Sequence, residues 1–119
     1  MSDDKRDRCI QIQQSIDAIK DYMEPVLEPS DFLKHKNGQL HLDAITLRLQ
    51  VIGENAKQIE LDNPHFFWQE LNYDIGSFIR FRDFISHHYE RLDHEIIYDT
   101  CKHRLPKLEA AIKKYLERT

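Results

Sequence analysis

Leu40–Leu61 reads LHLDAITLRLQVIGENAKQIEL, and its apolar residues recur at steps of three and four. That is the period of a helix. One stripe is Ala44, Leu47 and Val51; a second is Ile45, Leu49, Ile52, Ala56 and Ile59. Two adjacent stripes make a wide apolar face, so the spacing predicts a central bundle helix. Gly53 falls in its middle, where glycine costs about 1 kcal/mol relative to alanine. Close approach of another helix is one reason for it; room for a ligand or partner is another.

Working outward, Cys9, Ile12, Ile16, Ile19 and Met23 lie on one face of an upstream helix. It should end before Pro25 and Pro29, because a residue preceding proline resists the α conformation. Ser30 is a good N-cap for a short helix, and Asn37-Gly38 punctuates the chain. Downstream, Asp62-Asn63-Pro64 breaks the long helix. His65-Phe66-Phe67-Trp68 should then plug one end of the core, with a stacking platform for bases as the functional alternative. A third helix is predicted from about Asp74 to His88, with Ile75, Phe78, Ile79 and Ile85 on its apolar face. A turn follows near Glu90-Arg91-Leu92, and Asp93 is placed to N-cap the last helix. That helix carries Ile97, Cys101, Leu105, Leu108, Ile112 and Tyr115, and Pro106 inside it should kink or restart it. The expected architecture is all-α. A single domain over residues 1–119 forms an up-and-down bundle of four main helices plus a short accessory one.

Composition agrees. The 119 residues suffice for one core. With only 3 glycines and 4 prolines there is little room for the turns of a β-sandwich or barrel. Hydrophobic residues at 40% and charged residues at 32% exclude both a membrane protein and a disordered chain. The net charge of −4 does not announce a nucleic-acid binder. Charge is uneven, however. Lys102, Arg104, Lys107, Lys113, Lys114 and Arg118 face only Glu109 and Glu117 in the last segment. Cations near a helix C-terminus explain this; a phosphate-facing patch is the alternative. The polar residues Met1–Arg8 are not followed by an apolar signal core, so a cytoplasmic protein is expected. Cys9 and Cys101 should then be buried free thiols. Neither has a Cys-x-x-Cys partner, and no two histidines stand four apart on a helix, so no metal site is expected. No P-loop, G-x-G-x-x-G or G-x-S-x-G occurs, and no cofactor is expected.

The chemistry gathers in Arg80–Tyr89, RFRDFISHHY. Arg82 and Tyr89 are seven apart and share a face with Ile75, Phe78 and Ile85. A charge on an apolar stripe needs a partner or a cleft. Asp83 and His87 are four apart, where a carboxylate can orient an imidazole. Arg82 and His87 are five apart, about 140° around a straight helix. They meet only if the helix ends or distorts near Ser86, if long side chains converge on a groove, or if two subunits contribute. The plain alternative is an exposed Asp83–His87 pair, Arg82 in a salt bridge and Tyr89 in the core.

Arg82–Tyr89 has the form Arg-x-x-x-x-His-x-Tyr, which resembles the signature of HEPN-domain ribonucleases of the HepT type. Asp83, directly after the arginine, also suits that superfamily. Ile52-Gly53-Glu54-Asn55-Ala56-Lys57 resembles the family's I-G-E-x-A-K stretch. Trp68, Tyr89–Asp93 and Arg104–Leu108 fall where HepT-type sequences carry similar residues. The likeness runs from about Asp3 to Leu116. His88 inside the motif and the acidic net charge are departures, and His88 leaves open which histidine acts.

The resemblance implies the toxin of a toxin–antitoxin pair, a homodimer whose subunits both supply the signature arginine and histidine to a shared cleft. It implies metal-independent RNA cleavage with Arg82 and His87 as catalytic residues. Arg82 would hold the scissile phosphate, His87 would be general base or acid, and Asp83 would support His87. Histidine is the side chain that gains and loses a proton near neutral pH. The implied partners are RNA and an MntA-type minimal nucleotidyltransferase antitoxin, which attaches AMP to Tyr89; no membrane is involved. HEPN proteins also serve as non-catalytic nucleotide-binding or scaffold partners of such nucleotidyltransferases, which is the alternative function.

Overall fold

The computed structural model describes residues 4–34, 36–87 and 93–118. Its helices are α1 (Asp4–Met23), α2 (Asp31–Lys34), α3 (Gly38–Asp62), α4 (Phe66–Leu71), α5 (Gly76–His87), α6 (His94–Asp99) and α7 (Leu105–Glu117). A single π-helical turn, Thr100–Arg104, joins α6 to α7. The long helical runs are thus α1, α3, α5 and the α6–α7 unit, as the apolar periods predict. The accessory helix after Ser30 is α2. A second short helix, α4, forms in the aromatic run.

α1 and α5 both pack on α3, and α7 packs on α1. One core serves all of them. α1 contributes Cys9, Ile12, Ile16 and Ile19, and α7 contributes Leu105, Leu108, Ile112 and Tyr115. From α3 come Ile45, Leu49, Ile52, Ala56 and Ile59, the second of its two stripes. The first stripe does not enter the core. Leu47 is 60% exposed, and Leu40 and Leu61 near the two ends of the helix are exposed as well. The sequence pattern marks both stripes as apolar; only the packing shows that one faces out.

The aromatic run divides in the same way. Phe66 and Phe67 are buried, and the Phe66 ring stands edge-on to Phe67 and Tyr115, with centroids 5.2 and 5.1 Å apart. Trp68 is 61% exposed, so it plugs nothing. His65 and Asn72 bracket α4 with φ of 67° and 51°, the left-handed turns that let so short a helix reverse at both ends.

Pro106 restarts the last helix, as expected: α6 gives way to the π turn, and α7 begins at Leu105 with the proline in its first turn. Proline lacks an N–H and its ring crowds the carbonyl four residues back. The chain widens ahead of it instead, with the Leu105 N–H bonding to the Thr100 carbonyl five residues back. Asp93 caps α6 as its position suggests, accepting the Glu95 N–H at 2.8 Å. The turn expected at Glu90–Leu92 lies outside the described residues.

Polar ties cross between helices. Arg8 Nη1 donates to Asn55 Oδ1 at 3.1 Å, joining α1 to α3. Glu109 on α7 accepts from Gln13 Nε2 at 2.8 Å and Lys20 Nζ at 2.6 Å on α1. Among the described residues, no helix is long and apolar enough to cross a membrane.

Candidate active site

Arg82 is placed by a glycine. α3 and α5 approach so closely at Gly53 that a Cβ there would overlap the Cβ and Cγ of Arg82. The arginine's stem therefore lies directly on the α3 backbone, which fixes where its head can go. The head reaches the next residue along α3. Arg82 Nη2 is ion-paired with Glu54, and Nη1 donates to Asp83 Oδ1 at 2.8 Å. Arg82 Nε is buried without a hydrogen-bond partner. The side chain as a whole is 25% exposed. A guanidinium on an apolar stripe has thus found both things such a charge needs, carboxylate partners and an open edge.

Asp83 takes a different partner from the one its spacing suggests. Its carboxylate accepts from Arg82, and His87 acts on it through charge alone. The Arg82 hydrogen bond holds the Asp83 carboxyl below the ordinary carboxylate range, with Lys57 and His87 adding to the effect. Lys57 stands one turn beyond Gly53 on α3, so both helices bring cations to this carboxylate.

His87 is exposed at the last turn of α5. The helix is regular up to it, so within one chain the structure sets Arg82 toward α3 and leaves His87 facing solvent. Arg82, Asp83 and His87 lie on a single helical turn and a half, but the hydrogen bonds of Arg82 go to Asp83 and Glu54. His88 and Tyr89 lie outside the described residues.

A second arginine braces α5 from behind. The π turn at Thr100–Arg104 brings Arg104 Nη2 to 3.0 Å from Ser77 Oγ and its guanidinium 5.6 Å from the Phe81 ring centroid. Other C-terminal cations are engaged inside the chain too. Lys102 lies over Tyr98, Lys113 pairs with Glu109, and Arg118 donates to the Glu70 carbonyl. Lys107 and Lys114 are exposed.

Both cysteines are free. Cys9 is fully buried, whereas Cys101, expected to be buried as well, is only partly so. Cys101 lines a cavity of about 270 Å³ with Ile19, Met23, Val26, Leu27 and Leu105. Burial pushes its thiol up to about 12, against a smaller opposing pull from Lys102.

Glu54 and Lys57 enter the sequence reading only as part of the I-G-E-x-A-K stretch; that they meet Arg82 and Asp83 is what the structure adds. The signal for them was Gly53. A glycine kept in mid-helix marks a close approach, and its neighbours at one and four positions on flank whatever comes close.

The chain is similar to known proteins over almost its whole length. The family model described as "Ribonuclease HepT-like" matches residues 12–115. A protein of Thermococcus cleftensis named "Probable ribonuclease HepT" is 27% identical over 113 residues, 92% of this chain and 93% of that one. A protein of Methanocaldococcus jannaschii named "Gamma-glutamylcyclotransferase and putative RNase" is 29% identical over 110 residues. That match covers 89% of this chain but only 45% of the larger protein. No solved structure gives a significant match.

Proposed function

This chain belongs to the HepT-like ribonuclease family, and from that premise we propose that it is a metal-independent endoribonuclease centred on Arg82 and His87. The observation that carries the reading is the seating of Arg82. Its stem is fixed on Gly53 while its guanidinium end, a quarter exposed as a side chain, reaches the exposed carboxylate of Glu54, a setting from which an arginine can take a phosphate.

The ribose 2′-oxygen attacks the adjacent phosphorus. An O2′–P bond forms and the P–O5′ bond breaks, leaving a 2′,3′-cyclic phosphate and a 5′-hydroxyl. One imidazole takes the 2′-hydroxyl proton and another gives a proton to O5′. Arg82 balances the charge that grows on the phosphoryl oxygens. Two proton carriers require two His87 side chains, and a homodimer supplies them. The outward stripe of α3, with Leu40 and Leu47 exposed, and the half-exposed Phe84 beside Asp83 offer an apolar face for that second copy.

As the toxin of a toxin–antitoxin pair, the chain would be silenced by an MntA-type nucleotidyltransferase. The Tyr89 oxygen attacks the α-phosphorus of a nucleoside triphosphate, pyrophosphate leaves, and AMP remains on the tyrosine. That adds a charged phosphate two residues from His87, where it competes with RNA for Arg82.

The test is cleavage of total RNA in EDTA by purified chain, beside Arg82→Ala and His87→Ala. Cleavage by the wild type alone supports the reading. Cleavage retained by His87→Ala overturns the assignment of that residue. A wild-type chain without AMP that leaves RNA intact overturns the nuclease reading in favour of a nucleotide-binding scaffold.

A further inference from the structure

Resting on the ribonuclease reading, we infer that Glu54 occupies the place of the RNA phosphate on Arg82, and that substrate binds by exchanging with it. The argument is one of donor geometry. A guanidinium presents five N–H groups in a plane, and an oxyanion binds it bidentately along an edge. Arg82 has lost the edge that includes Nε, because that atom is buried. The remaining end, Nη1 and Nη2, already carries Asp83 on one nitrogen and Glu54 on the other. The pair of carboxylate oxygens therefore sits where the two non-bridging oxygens of a phosphodiester would bind.

One of the two carboxylates must leave, and the structure distinguishes them. Asp83 is the next residue on the same helix, tied to Arg82 by a short side chain. Glu54 belongs to the facing helix, has a longer side chain and is 56% exposed, against 44% for Asp83. It can turn into solvent without disturbing the packing of Arg82 on Gly53. Once it leaves, Nη2 is free for the phosphate, while Asp83 keeps the guanidinium in plane. Before it leaves, the two carboxylates cancel the charges of Arg82 and Lys57, so the site offers RNA no net positive charge. Glu54 is thus a specificity-setting residue of the site, lowering affinity for any phosphate that does not bring further contacts.

The experiment measures binding of a short 2′-O-methyl RNA, which lacks the attacking hydroxyl, at fixed salt. The proteins are wild type, Glu54→Gln, Arg82→Ala and the double variant. Glu54→Gln should bind about fivefold tighter, the scale of an exposed ion pair. On cleavable RNA its KM should fall by a similar factor. The gain should vanish in the Arg82→Ala background, because the competition is for that guanidinium. Glu54→Ser, with thermal melting of each variant, guards against a folding effect of one substitution. A wild type that cleaves RNA while Glu54→Gln binds no tighter overturns this inference alone. So does a gain that persists in full without Arg82, which would mean only a general effect of charge. A wild type that neither binds nor cleaves RNA overturns the ribonuclease reading and this inference with it.

Discussion

Gly53 does at residue scale what no side chain could. It lets the Arg82 stem touch the α3 backbone and so aims the guanidinium. Gly53→Ala sets helix propensity, which favours alanine by about 1 kcal/mol, against overlap with Arg82, where overpacking costs about 1–3 kcal/mol. The overlap should win. We expect a modest loss in melting temperature and a loss of RNA cleavage of roughly tenfold or more, since small misplacements of a positioned group are costly. Unchanged cleavage would show that the close approach does not position Arg82. Cys101 makes a separate prediction. With its thiol pushed up to about 12 by burial, roughly one molecule in 10⁴ is thiolate at pH 8. A disulfide reagent should leave Cys101 unmodified in the folded chain and modify it in urea. Rapid labelling of the native thiol would contradict its burial.

Elements are held together by few polar ties, and Glu109 is the most connected. Burial raises its carboxyl, but the Lys20 and Gln13 hydrogen bonds and the charge of Lys113 outweigh that, so it lies below its ordinary value of 4.5. The stability it contributes is complete above that unfolded value and is lost as pH falls through the lower folded one. Glu109→Gln should therefore lose stability at neutral pH, by about 1–2 kcal/mol, and show a shallower decline below pH 4.5. An acid limb as steep as the wild type's would place the sensitive carboxylate elsewhere. The same scale shows what was legible in the sequence. α1 and the inner stripe of α3 follow from apolar period alone, and Asp93 announces α6 because caps have a chemical signature. α4 is too short for periodicity to reveal. Pro106 reads as a kink or restart, and α7 does start there; the π turn ahead of it has no such signature in the sequence. Glu54 stands in the I-G-E-x-A-K stretch, but nothing in the sequence says that its partner is Arg82.

The outward stripe of α3 matters for the whole molecule. Periodicity cannot tell an apolar face that meets the core from one that faces out, and Leu47 is of the second kind. Under the proposed homodimer, Leu47→Glu should leave the helical content intact, shift sedimentation toward the monomer and abolish cleavage. A monomeric variant that still cuts RNA would remove the need for a shared cleft. Arg82 is turned toward α3 and His87 toward solvent, an arrangement that a second subunit's contribution would complete under the same proposal. The most direct measurement is the chemistry of the ends. Purified chain, shown by mass to carry no AMP, is incubated with a defined RNA in EDTA, and the fragments are weighed. Arg82, His87 and a 2′-hydroxyl nucleophile predict fragments ending in 2′,3′-cyclic phosphate, with none from His87→Ala. Fragments with 3′-hydroxyl and 5′-phosphate ends, or cleavage that stops when metal is chelated, would contradict the account.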